Sequence, residues 1–277
     1  MSLAHNLRAG TLQETLAQLQ TQVRKDPANA RPRIFLFQLL AVLGQWERAL
    51  NQLQVCGTLD AGALPMVQTY REALRCEVFR AEVFAGRRAP LVFGDPEHWV
   101  ALLLEALQLT AQGQDARSQA LREQAFEAAP PTSGRIDDQP FQWIADADSR
   151  LGPTLEAIVN GRYYWIPFHR IHRIQIEPPA DLRDLVWTPA RFTWANGGET
   201  VGLIPTRYPG SESRPDDGIR LARKTDWTEA AAGLYLGLGQ RMLATDNGEY
   251  ALLDTRLITL DTVAAQSASA VGEFADG

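Results

Sequence analysis

Along the first half of the chain, apolar residues recur at helical spacing. Leu12, Leu16 and Leu19 form one stripe. Phe35, Leu36, Leu39, Leu40 and Leu43 form a second, and Leu102, Leu103, Leu107 and Leu109 a third. A step of about three or four residues returns side chains to one helix face, so the pattern predicts helix from Leu3 to about Ala129. Breakers interrupt it at Gly10, Asp26-Pro27, Gly44, Gly57, Gly62, Pro65, Gly86, Gly94, Pro96, Gly113 and Pro130-Pro131.

The breakers carry a period. Gly10 and Gly44 are 34 residues apart, the spacing of tetratricopeptide repeats. In such a repeat a glycine ends the first helix, a small residue follows in the second, and a proline closes the unit. Gly10 is followed by Thr15 and Pro27, Gly44 by Ala49 and Cys56, and Gly113 by Ser118, Ala125 and Pro130. Stacked helix pairs of this kind bury one another's apolar faces and leave a concave surface. Between Gly62 and Arg88 the template fails, and Leu64 to Ala85 reads as one long helix. A plain helical bundle with coincidental glycine spacing is the other reading.

Beyond Pro130-Pro131-Thr132-Ser133-Gly134 the period changes from helical to alternating. Three Asn-Gly dipeptides, at Asn160, Asn196 and Asn247, sit between β-branched and aromatic runs such as Leu155 to Val159 and Arg162 to Ile166. Asn-Gly favours the type I′ hairpin turn, in which both central residues need positive φ. The pattern predicts antiparallel hairpins forming a sheet or small barrel, with short helices at Pro179 to Leu185 and Pro215 to Lys224. The expected fold is α+β: a TPR-like helical superhelix over 1–130, an antiparallel, barrel-like β-rich domain over 131–260, and a disordered tail over 261–277.

Composition narrows the function classes. Apolar residues make up 45% and charged residues 22%, which fits a soluble globular protein. The net charge of -6 disfavours a general nucleic-acid binder, which needs a basic face. No basic segment followed by an apolar run opens the sequence, so no signal peptide is expected. The most apolar stretch, Ile34 to Leu43, contains Gln38 and falls short of the ~20 residues of a membrane span. Cys56 and Cys76 lie in helical segments without metal-type spacing and read as buried reduced thiols. A cytoplasmic protein is expected.

Candidate chemistry is thin. His169 and His172 precede a predicted strand, where their spacing does not converge on a metal. Asp146 and Asp148 share a strand face and could serve an acid/base or Mg²⁺ site, but capping or pairing with Arg150 explains them too. Ser211 and Ser213 lack the nucleophile elbow, and no histidine follows them. Gly233 to Gly239 is glycine-rich without the lysine of a phosphate loop and reads as a strand edge with bulges. Arg162, Arg170, Arg173, Arg183 and Arg207 make the second half locally basic. They suit an acidic helix, a nucleic acid or solvated salt bridges. Five of the seven tryptophans fall between 143 and 227, and some could be binding anchors.

Four stretches together resemble one family. They are Ala145-Asp146-Ala147-Asp148-Ser149-Arg150-Leu151-Gly152-Pro153, Asn160-Gly161-Arg162-Tyr163-Tyr164-Trp165-Ile166-Pro167, Pro178-Pro179-Ala180-Asp181-Leu182-Arg183-Asp184, and Leu203-Ile204-Pro205-Thr206-Arg207-Tyr208-Pro209-Gly210-Ser211. They are similar to the ImpE/SciE type, also called TagJ, accessory proteins of bacterial type VI secretion. The resemblance implies a partner, the small tail-sheath subunit TssB, held near its N-terminal helix, with the ClpV ATPase as functional neighbour. It supplies no catalytic residue, metal or cofactor.

The expected function is therefore a non-enzymatic adaptor that lays a partner helix in a groove, either the helical concavity or the seam between the halves. Arg33, Phe37 and Arg75 are the expected contacts in the first half, and Arg162, Tyr164, Arg207 and Tyr208 in the second. The alternatives are a nucleic-acid module using the arginine and aromatic cluster, or an enzyme around Asp146 and Asp148.

Overall fold

The structure is a computed structural model that describes residues 11–262 apart from Pro96 and Ala232. The expected helical start at Leu3, the Gly10 breaker and most of the expected tail, 263–277, lie outside the described residues.

Among the described residues, six α-helices come first. Helix α1 (Leu12–Lys25) opens on a capping box. Thr11 Oγ1 accepts from the Glu14 amide at 3.2 Å, and the Thr11 amide donates to Glu14 Oε2 at 3.0 Å. Its stripe Leu12, Leu16, Leu19 and Val23 is buried. Helix α2 (Ala30–Val42) starts at Asn29, whose side chain accepts from the Arg31 amide. Every residue from Leu36 to Val42 is buried, as befits a helix enclosed by neighbours on all sides. Helix α3 (Trp46–Leu59) returns against it, and α4 (Leu64–Phe84) is the predicted long helix. Helices α5 (His98–Ala111) and α6 (Asp115–Ala128) form a second tight hairpin.

The two hairpin turns share one cause. Gly44 and Gly113 sit at φ +66 and +71, left-handed conformations that cost a Cβ-bearing residue about 1 kcal/mol or more. The small residues that follow, Ala49 and Ser118, have no accessible surface, so the paired helices pack closely.

Strand β1 (Leu91–Val92) lies between α4 and α5. The remaining strands follow α6: β2 (Gly134–Ile136), β3 (Gln139–Phe141), β4 (Ile144–Asp146), β5 (Thr154–Val159), β6 (Arg162–Pro167), β7 (Ile171–Ile176), β8 (Trp187–Trp194), β9 (Glu199–Pro205), β10 (Thr225–Ala231), β11 (Leu234–Gly239), β12 (Met242–Thr245), β13 (Gly248–Ala251) and β14 (Leu257–Leu260). The predicted short helices are a 3-10 turn at Leu182–Leu185 and α7 (Asp217–Arg220). Nine strands form one sheet in the order β1-β6-β5-β9-β8-β7-β14-β2-β3, antiparallel except for the β1–β6 pair. A three-stranded sheet β13-β12-β4 and the ribbon β10-β11 hold the other described strands.

The barrel-like expectation is corrected: the large sheet is open, ending on β1 and β3. Closure is unnecessary because each face already has a cover. Ile158, Tyr163, Trp165, Trp187 and Leu203 join one continuous core with the helices. Leu155, Ala157, Val159, Ile166, Phe192 and Ile204 join a second core with Ile144 and Leu243 of the smaller sheet. Strand alternation produces this split, odd positions in β6 and even ones in β5 facing the helices.

The turn prediction also needs correction. All three Asn-Gly sites join paired strands, but only Asn160-Gly161 has both residues at positive φ, 50 and 71. At the β12–β13 turn, Thr245 pairs with Gly248, so the two turn residues are Asp246-Asn247. Asn196 instead accepts the Gly198 amide at 3.0 Å. The glycine-rich run forms β11, with a register shift opposite Glu229 and Ala231. Asp261 donates its amide to the Ser133 carbonyl, so the first tail residues are tied to the sheet half.

Candidate functional site

Even positions of β5 face the helices, and one of them is Glu156. Its carboxylate lies at the centre of a buried charge network. Arg80 on α4 donates through Nε to Oε1 at 2.6 Å and through Nη2 to Oε2 at 2.8 Å. Arg241, just before β12, donates to Glu156 and also to Asp146. Tyr163 donates its hydroxyl to Glu156 and accepts from Trp165 Nε1 at 2.8 Å. On α4, Glu77 accepts from Trp187 Nε1 at 2.9 Å and faces Arg80 at 3.4 Å. Side chains from α4, β5, β6 and β8 thereby meet in one bonded cluster.

Burial raises the cost of every charge here, and the partners decide the outcome. Burial alone pushes Glu156 up, but Arg80 and Arg241 overcome it and hold the carboxyl at about 2. For Asp146 burial prevails over Arg241, and neighbouring Asp148 adds to it, leaving the group at about 6. Two guanidinium groups against one, with a second carboxylate beside Asp146, account for the opposite directions. Glu77 is raised because burial outweighs Arg80.

Three of the expected partner contacts belong to this interior, and the expectation for them is corrected. Phe37 has no accessible surface and packs against Tyr70 at 5.9 Å between ring centroids. Arg207 is buried and donates to the Val42 carbonyl at 2.8 Å, closing the C-terminus of α2, whose last carbonyls lack helical partners. Burial brings its guanidinium down to about 10. Tyr208 is buried and donates to Asp146 at 3.0 Å. A partner reaches none of the three without opening the core. The other four have surface: Arg75 and Arg162 are exposed, and Arg33 and Tyr164 are half-buried.

Asp146 and Asp148 are likewise committed to internal partners. Asp148 pairs with Arg150, as expected, and accepts the Gly237 amide at 2.8 Å. His169 and Arg170 both meet Glu97, at 2.8 Å and 2.7 Å, while His172 faces the Leu260 carbonyl. Among the described residues no group of three or more His, Cys, Asp or Glu is placed to hold a metal ion. Both cysteines are free and buried, and burial pushes their thiols up to about 11 for Cys56 and about 12 for Cys76. Trp165, Trp187 and Trp194 fill the core, whereas Trp143 and Trp227 are exposed.

The surface offers a better site at the seam. A groove of about 570 Å³ runs between the N-terminal half of α4 and strands β8 and β9. Pro65, Met66, Ile158, Pro189 and Leu203 give it apolar walls, and Val201, 69% exposed, stands at its lip. Glu72, Glu177, Arg183 and Arg191 supply charge of both signs. Arg183 lies over the Tyr70 ring at 4.7 Å and pairs with Asp181 at 2.6 Å, and its buried Nε has no hydrogen-bond partner.

Comparison with known proteins agrees with the sequence motifs. The family described as ImpE protein matches residues 138–259. Over 250 residues the chain is 58% identical to the type VI secretion system accessory component TagJ of Pseudomonas aeruginosa, spanning 90% of this chain and 88% of the relative. The chain belongs to the TagJ (ImpE) family. Its fold is that of the crystal structure of protein VPA1032 from Vibrio parahaemolyticus. That likeness has a TM-score of 0.86 at 25% identity, covering 96% of this chain and 100% of the other. The expected resemblance to type VI accessory proteins therefore holds. Among the described residues no helix is long and apolar enough to cross a membrane.

Sequence reasoning missed Glu77, Arg80, Glu156 and Arg241. One signal was available: Glu156 interrupts the apolar run Leu155 to Val159, and a charge inside such a run calls for a partner. The seam was an expected place for a groove, but its lining residues left no comparable signal, because they come from segments far apart in sequence.

Proposed function

We propose that this chain is a non-enzymatic, cytoplasmic adaptor of type VI secretion that holds the small sheath subunit TssB by its N-terminal helix. The ClpV ATPase is the expected neighbour in sheath recycling. The seam groove carries this reading: it is apolar, long-walled, flanked by charge of both signs, and built largely from the half that the ImpE family matches. An amphipathic helix binds such a groove by its apolar face at i, i+3, i+4 and i+7. The turns at Gly44 and Gly113, with buried small residues behind them, support a TPR-like character for the helical part over 1–130. The β-rich part over 131–260 then acts with it as one clamp. Arg75 and Arg162 lie on α4 and β6, beside the groove-lining Glu72 and Gly161, and are the rim contacts of this reading. Arg33 and Tyr164 are proposed as outlying contacts.

Calorimetric titration with a peptide covering the TssB N-terminal helix tests the proposal. Saturable binding is expected, weakened about tenfold or more by Met66→Glu or Val201→Glu, since a charge placed on a desolvated anchor site costs over 1.4 kcal/mol. Binding indifferent to both changes would move the site away from the seam. Absence of binding would remove TssB as the partner.

A further inference from the structure

A second groove lies wholly within the first three helices. Helical spacing aligns its lining in three rows: Gln20, Val23 and Arg24 on α1, Leu36 and Leu40 on α2, and Arg48, Asn51 and Gln52 on α3. Together they enclose about 470 Å³. Val23, Leu36 and Leu40 are buried and make an apolar floor. Arg24, Arg48 and three amide side chains form the rim, and no carboxylate lines it. Arg33 stands next to the rim and donates to Gln52 Oε1 at 3.0 Å.

What matters for these three arginines is that they stand around one groove and bond only to neutral groups. Arg24 donates to Thr21 Oγ1, Arg33 to the Pro27 carbonyl and Gln52, and Arg48 to Gln45. All of those acceptors are neutral, and none of the three arginines joins an ion pair among the described residues. In a chain of net charge -6, three cations without an ion-paired carboxylate around one apolar floor, itself lined by no carboxylate, concentrate positive charge at this groove. Guanidinium groups are suited to carboxylates, which they grip through paired N–H donors.

We infer that this groove docks an acidic amphipathic segment of a partner protein, with an aliphatic side chain on the Val23, Leu36 and Leu40 floor and carboxylates on Arg24, Arg33 and Arg48. A nucleic acid would satisfy the arginines but leave the floor uncovered, so the peptide is the better fit. The groove is separate from the seam, and the inference stands whether or not the seam holds TssB.

The test is fluorescence anisotropy of the full chain with a labelled Leu/Glu amphipathic peptide about three turns long. The same peptide with lysine for glutamate and an oligo-dT strand serve as comparison probes. The Leu/Glu peptide saturates below about 1 mM, weakens as salt rises, and loses about tenfold or more in affinity with the double change R24E/R48E. Asn51→Trp, which fills the groove without altering charge, weakens it as well, while Arg75→Glu on α4 does not. Arg24, Arg48 and Asn51 are exposed, so these variants fold, and an unchanged thermal midpoint verifies it. The inference is overturned by no saturation below about 1 mM, by equal binding of the lysine peptide, or by unchanged affinity in R24E/R48E. Tighter binding of oligo-dT, lost in the same variant, would reassign the patch to phosphates.

Discussion

Two sets of three arginines do different work in this protein. Arg80, Arg207 and Arg241 are buried between the helices and the large sheet, and their N–H groups meet carboxylates or backbone carbonyls. Arg24, Arg33 and Arg48 surround a shallow groove and meet only neutral oxygens. The first set joins elements distant in sequence. The second leaves its charge available to a partner. Residue type alone does not separate structure from recognition; desolvation and the supply of acceptors do. A buried unpaired charge would cost several kcal/mol, so the interior set must be saturated, whereas an exposed cation tolerates the lack of a partner.

The comparison breaks most readily at Arg241. Arg241→Met leaves Glu156 and Asp146 without their shared cation and is expected to destabilise by about 3–5 kcal/mol in urea denaturation. Equal losses from Arg241→Met and Arg24→Met would erase the distinction. Glu156→Gln removes the acceptor common to Arg80 and Arg241 and is expected to cost about 3 kcal/mol at neutral pH. That gap depends on pH in a defined direction. The folded-state carboxyl sits at about 2, below its ordinary 4.5, so its contribution is complete above pH 4.5 and disappears as pH falls through about 2. Denaturation curves of the two proteins should therefore converge over that window. A gap constant down to pH 2 would show that the carboxylate's charge is not what stabilises the seam.

Arg207→Ala frees the last carbonyls of α2 and is expected to cost about 2 kcal/mol, with faster amide exchange at Leu43 and Gly44. Exchange unchanged there would mean that packing alone holds the helix end. The smallest effect is expected at the other set. R24E/R48E should shift stability by no more than about 0.5 kcal/mol, while abolishing most of the acidic-peptide affinity. A large loss of stability in that variant would place these arginines with the structural set.

Much of the architecture was legible in the chain. The stripe Leu12, Leu16, Leu19 and the glycines at 44 and 113 located helices and tight turns, because helical period and left-handed φ are local demands. The flanks of Asn160-Gly161 located β5 and β6 for the same reason. Arg207 and Tyr208, in contrast, looked like surface contacts, since an arginine beside a tyrosine in a proline-rich loop resembles a recognition patch. Both are interior because the loop after β9 passes against the end of α2, a juxtaposition that spans 165 positions in the Arg207–Val42 bond. The seam was one of two expected places for the groove, but its lining was illegible for a related reason: Met66 and Val201, which line it together, are far apart in sequence.

What the chain determined by itself was the order of elements, the alternation that sends Glu156 toward one face, and its place in the TagJ family. These follow from periodicity, turn chemistry and shared motifs, all carried by neighbouring residues. Tertiary structure alone decided that the sheet stays open, which arginines are buried, and where the grooves lie. Those outcomes depend on which faces cover one another, and burial is a property of two surfaces in contact rather than of either segment.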